Sequence, residues 1–203
     1  MDSAIHLPLL RFWQANARPG YVGLIGIRFP LARLIGKSQA PLTPDGTPSL
    51  WAHAFIFQKG HDDIPWIYES DIGFPRRGIF HWMPQAQENP VTKWSTTRIT
   101  QACVLEAGLD EGQVEAALVR AQQLISQGIR YRVRDLLATW LAIRRGKLEK
   151  ENFLHSHDGL HCGAFVRTCL AAAGGDSVGD EIAVCNTVPE VLYQRLCLVA
   201  RWE

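Results

Sequence analysis

Compact apolar runs fill the first half of the chain, and helix-spaced apolar positions fill the second. Tyr21 to Arg28 (YVGLIGIR), Ala52 to Gln58 (AHAFIFQ) and Ile64 to Ser70 (IPWIYES) are short, rich in β-branched and aromatic residues, and bounded by turn formers. They predict strands, with Pro65 pushing the third towards an edge or a bulge. Ser38 to Ser49 (SQAPLTPDGTPS) holds three prolines and a Pro-Asp-Gly signal, which predicts an exposed loop. Asp110 with Gln113 has capping-box spacing, and Val114, Ala117, Leu118, Ala121, Leu124 and Ile125 then recur at helical intervals as far as Gly128. Arg132 to Arg145 predicts a second helix, with Leu136, Leu137, Trp140 and Leu141 on one side. Asp158 can cap a third, running to about Ala173 before Gly174-Gly175. Thr187 and Glu190 mark a fourth start leading into Leu192 to Leu196, and the apolar tail Cys197 to Trp202 predicts a last strand. Strands over 20–100 followed by helices over 108–196 predict an α+β architecture in a single domain, 1–203, with a small antiparallel sheet packed against helices.

Composition narrows the function more than the fold. The hydrophobic fraction is 47% and the charged fraction 20%, which suits an ordinary globular chain. A net charge of +1 with no charge block argues against a nucleic-acid partner. The N-terminal segment has an acidic second residue and no basic run, so no secretory signal is expected. No apolar stretch approaches the roughly 20 residues of a spanning helix. The expectation is a soluble protein, cytoplasmic or exported by a route without a cleaved signal. The five cysteines are odd in number and form no C-x-x-C pair, which predicts free thiols rather than a zinc ribbon or a disulfide scaffold.

One of those thiols is placed for chemistry. Cys162 falls in the first turn of the third predicted helix, where unpaired N–H groups and the helix dipole stabilise a thiolate and an oxyanion. Gly163 follows it, and a residue without a side chain lets a substrate approach the sulfur. The competing reading is a buried helix stripe of Cys162, Phe165, Val166 and Cys169. A nucleophile needs a base and an orienting group. His53 opens one predicted strand and Glu69 lies near the end of the next. A hairpin centred on His61 places them directly opposite, side chains on one face about 5 Å apart. The alternatives are a structural histidine and a solvated glutamate. His155, His157 and His161 crowd the approach to Cys162 (HSHDGLHC). They suggest a polar loop holding the helix end rather than a metal site, with His161 tuning the thiol or touching substrate.

The order of these elements resembles the circularly permuted branch of the NlpC-type, papain-like cysteine peptidase superfamily, related to the lecithin retinol acyltransferase group. Gly23 to Gly36 (GLIGIRFPLARLIG) resembles the family's opening strand and short helix. Ser49 to Phe57 (SLWAHAFIF) resembles its Ser-His strand, with Ala52 where serine is usual. Ile67 to Ser70 resembles its Ile-Glu-Ala strand, and Gly128 to Leu137 its Gly-x-x-Tyr segment. His161 to Gly175 resembles its nucleophile helix, and Asn186 to Leu192 its closing segment. Two departures sit beside the nucleophile: His161 replaces the usual tyrosine, and Gly163-Ala164 replaces Ser-Glu. The resemblance implies a circularly permuted papain-like fold, catalytic Cys162, His53 and Glu69, and no metal or other cofactor. It implies hydrolysis of an amide, as in bacterial cell-wall peptide, with lipid ester or amide chemistry, acyl transfer, or an inactive binding module as alternatives. The partner is then a peptide or lipid substrate, joined by an immunity or secretion partner if the protein is an exported antibacterial effector.

Overall fold

Side-chain parity along the central strands decides which helices each face meets. In β2 (His53–His61), Ala54 and Ile56 join Val22 and Leu24 of β1 (Val22–Ile27) in one buried cluster. Phe55 and Phe57 join Ile25 in another, on the opposite face. The first cluster is closed by α3 (Glu111–Ser126), α5 (Cys162–Ala171) and α6 (Pro189–Arg195), through Ala117, Ala121, Leu124, Phe165, Val166, Leu170 and Leu192. The second is closed by α1 (Leu7–Asn16), whose Leu9 and Trp13 are fully buried.

The computed structural model describes residues 5–61, 63–72, 84–151, 159–174 and 178–203, and of His61 the backbone alone. Among these residues the architecture is α+β. Six strands form one antiparallel sheet in the order β4-β3-β2-β1-β5-β6, with β3 at Ile64–Asp71, β4 at Gln85–Pro90, β5 at Ile99–Glu106 and β6 at Cys197–Trp202. Two further helices are α2 (Pro30–Ser38) and α4 (Val133–Arg145). The strands expected around 21–28, 52–58, 64–70 and 197–202 are present, and so is the capping box on α3, with Asp110 and Gln113 bonded reciprocally. β4 and β5 have no counterpart among the sequence expectations.

Two local expectations are corrected. α6 is not capped by Thr187: it starts with Pro189, a residue whose missing N–H costs nothing at a helix start. Thr187 instead accepts a hydrogen bond from Arg167, and Glu190 accepts from Ser49 and Gln194. α5 begins at Cys162 with His161 as its N-cap, three residues later than a cap at Asp158 would place it. Asp158, His155, His157 and Gly175 lie outside the described residues. In α4, Leu136, Leu137, Trp140 and Leu141 share one side as expected, and it is the outer side. The buried face is Asp135, Ala138, Thr139, Ala142 and Ile143.

The β2–β3 hairpin is also registered differently from expectation. The ladder pairs Ile56 with Tyr68, Phe57 with Ile67 and Gln58 with Trp66, with an irregularity between Gln58 and His61. Continued along the strands, it sets Phe55, not His53, opposite Glu69. The shift is two residues, and side chains alternate with a period of two, so His53 and Glu69 still share a face as diagonal neighbours.

Candidate active site

β2 begins at His53, and this puts the imidazole at the end of the sheet, where α5 starts. His53 is buried, against the Trp94 ring at 4.9 Å between centroids. Its Nε2 lies 2.7 Å from Glu69 Oε2. That leaves Nδ1 for the interaction between His53 and the Cys162 thiol, which shifts the pKa of both.

Glu69 is fully buried and its carboxylate is saturated. Oε2 accepts from His53 and, at 2.8 Å, from Trp94 Nε1; Oε1 accepts from Asn89 Nδ2 at 2.8 Å and Lys93 Nζ at 2.6 Å. Lys93 also donates to Asp71 Oδ2 at 2.8 Å. Burial alone would raise the Glu69 pKa, but the Lys93 charge and the His53 hydrogen bond outweigh it and hold the carboxyl at about 2. Burial likewise works against a charged Lys93, and the two carboxylates reverse that. The histidine's partner is therefore a fixed anion at any ordinary pH. β4 and the 3-10 turn Val91–Trp94 that follows it supply this support. None of Asn89, Lys93 and Trp94 was flagged by the sequence. Lys93 beside Trp94 is an unremarkable pair until β4 folds back against β3.

Cys162 is the first residue of α5. The pre-α5 segment is tied down from two sides: Ser70 donates to the Leu160 carbonyl at 2.6 Å, and Leu160 N–H donates to the Arg130 carbonyl at 3.0 Å. His161 has both ring nitrogens engaged. Nε2–H donates to the Cys185 carbonyl at 2.9 Å, and Nδ1 accepts, at 3.5 Å, from Ala164 N–H. Thr139 donates to the same carbonyl at 2.9 Å. His161 is 1% exposed and caps α5.

Electrostatics separates Cys162 from the other buried thiols. Burial pushes the Cys103 thiol up to about 12 and that of Cys169 higher still. Cys162 is just as buried, yet the neighbouring His161 and His53 imidazoles bring it down to about 6. His53 moves the other way. Desolvation disfavours its charge, but the contacts with Cys162 and Glu69 dominate and raise it to about 10. The arrangement favours a thiolate–imidazolium pair.

Gly163 has a packing role. A Cβ there would lie 2.2 Å from the Thr187 carbonyl oxygen and 3.1 Å from Val188 Cα, so α5 and the segment leading into α6 approach as closely as they do only because position 163 has no side chain. Gly163→Ala is expected to destabilise the protein by about 1–3 kcal/mol, read as a lowered denaturant midpoint. An unchanged midpoint would contradict this packing role.

A groove opens beside His53. Ile27, Phe29, Leu31, Ala32 and Ile35 line one wall, and Ala52, Ile72, Trp94, Asp71 and Tyr131 complete it. Tyr131 is buried and lies close enough to Cys162, Asp71 and Asp135 for their charges to act with burial in raising its phenol pKa. The groove is thus apolar along β1–α2 and polar where His53, Asp71 and Tyr131 line it. Among the described residues, no three His, Cys, Asp or Glu side chains are arranged to hold a metal ion.

Comparison of the sequence with protein-family models and with curated proteins finds no match.

Proposed function

We propose that the protein is a cysteine-dependent acyl hydrolase in which Cys162 is the nucleophile, His53 the acid–base and Glu69 the orienting group. The observation that carries this reading is the chain of contacts from a thiol at a helix N-terminus, through one histidine nitrogen, to a buried carboxylate on the other. The Cys162 thiolate attacks a substrate carbonyl carbon. The oxyanion is met by the Cys162 backbone N–H in the first turn of α5, a position that has no intrahelical partner. As the bond from carbon to the leaving nitrogen or oxygen breaks, His53 passes its proton to the leaving group. Water, deprotonated by His53, then releases the acid and restores the thiolate. With another nucleophile in place of water, the same site is an acyltransferase. The order of elements, which resembles the permuted papain-like peptidases and amidases, ranks amide substrates first. The apolar wall of Ile27, Phe29, Leu31, Ala32 and Ile35 favours a second reading, a lipid ester or amide whose acyl chain lies along α2.

Intact-protein mass spectrometry with p-nitrophenyl esters tests the mechanism. An acyl group on Cys162 that forms and then turns over supports it; acylation that never turns over, or that maps to another cysteine, refutes it. The rate should rise through about pH 6 as the thiolate forms and fall near pH 10 as the imidazolium loses its proton. A rate that rises only above about 8.5, as for an ordinary thiol, would contradict the ion pair.

A further inference from the structure

α4 is inverted relative to its sequence pattern. Its small and polar side packs inward on the 3-10 turns Ala40–Leu42 and Val184–Asn186. The opposite side carries Val133, Leu136, Leu137, Trp140 and Leu141, with Val133 54% and Leu137 56% exposed. These positions recur at i, i+3, i+4, i+7 and i+8, one continuous apolar stripe down the helix.

Along α4 and its immediate flanks, as far as Glu149, the exposed charges are of one sign. Arg130, Arg134, Arg144, Arg145 and Lys147 are all exposed, and the Arg144 guanidinium stacks 5.1 Å from the Trp140 ring centroid. The only acid between 129 and 148 is Asp135, which is buried on the inner face. α2 repeats the pattern on a smaller scale: Leu34 is 63% exposed, flanked by exposed Arg33 and Lys37, with no acid from 28 to 38. Over the whole chain acids and bases nearly balance, 20 against 21, so this segregation is local. The two helices also border the same groove. α2 supplies Leu31, Ala32 and Ile35, and Tyr131 leads directly into α4.

We propose that α4, assisted by α2, seats the protein on an anionic lipid surface, with the stripe in the headgroup–acyl boundary and the arginines on lipid phosphates. An apolar stripe with a tryptophan and a one-sign cationic border is the pattern of a helix lying in a membrane interface. A partner helix would more often be met by charges of both signs. The described helices include none long and apolar enough to cross a bilayer, so the contact is with the surface. The proposal does not rest on Cys162 being a nucleophile, and a Cys162→Ala variant should bind equally well.

Co-sedimentation of the full chain with phosphatidylcholine vesicles, with and without phosphatidylglycerol, tests it. Binding should be at least about tenfold stronger to the anionic vesicles and should weaken towards ~0.5 M salt. Leu137→Glu should weaken binding by about tenfold or more, from the lost burial of one leucine, while the thermal midpoint stays unchanged because Leu137 contributes little to the core. Arg144→Glu with Arg145→Glu should weaken it several-fold. No binding to anionic vesicles overturns the proposal, as does binding that Leu137→Glu leaves intact. A dimer that Leu137→Glu dissociates, without vesicle binding, would make the stripe an interface between copies and overturn it too.

Discussion

Replacing Cys162 by alanine is expected to lower ester or amide turnover at least about 10³-fold while the protein stays folded. In the proposed mechanism the thiol is the atom that forms the acyl intermediate, so no neighbour can substitute for it. Cys169, one helical turn and more away, is fully buried and held in the neutral form. His53→Ala should approach the same loss, because the thiolate then loses both its proton acceptor and its counter-charge, and the leaving group loses its acid. The two losses should not add in the double variant, since the residues act as one unit. Steady-state rates for the two single variants and the double, with circular dichroism to verify folding, check this. Residual turnover within tenfold of the parent in Cys162→Ala would mean that the reaction uses another group.

The second large effect is on stability. Lys93→Met should cost about 3–5 kcal/mol, read as a lower denaturant midpoint with an unchanged slope. Among the described residues Lys93 is the cation that bonds both Glu69 and Asp71, and its loss leaves two buried carboxylates two positions apart on β3, with His53 as the charge partner of Glu69. Glu69 should then be easier to protonate. Its depressed pKa stabilises the fold above the ordinary carboxylate range, a contribution lost as pH falls towards about 2 in the parent and at a higher pH in the variant. A parent and variant that unfold at the same acid pH would contradict the role given to Lys93.

Part of this site is legible in the sequence because it depends on parity alone. His53 and Glu69 fall on one face for any even shift of the pairing, so their contact survives a ladder that pairs two residues away from the expected register. The helix start at Cys162 is legible too, but not its cap. Asp158 has the residue type of a cap, whereas the cap in place is His161, whose ring is fixed by a carbonyl at Cys185, far along the chain. Periodicity finds the α4 stripe and cannot say which way it faces. Ala138 and Ala142, not the leucines, face inward, so it is the small side that packs on the 184–186 turn. β4 has a polar sequence, QAQENP, in which only Ala86 is fully buried, so it lacks the alternation that marks a strand. In β5 the obstacle is the reverse: Ala102 to Leu105 are buried in succession, two on each face, which hides the period of two. Lys93 cannot be placed at all until β4 is paired with β3.

The central claim is that Cys162 is a thiolate held by His53. Its most direct test is the rate of iodoacetamide alkylation at Cys162, mapped by peptide mass spectrometry between about pH 5 and pH 9, in the parent and in His53→Ala. The parent should alkylate with a midpoint near pH 6, and the variant should shift upwards towards an ordinary thiol. A parent midpoint above about 8, or a His53→Ala profile that overlays the parent, would contradict the account.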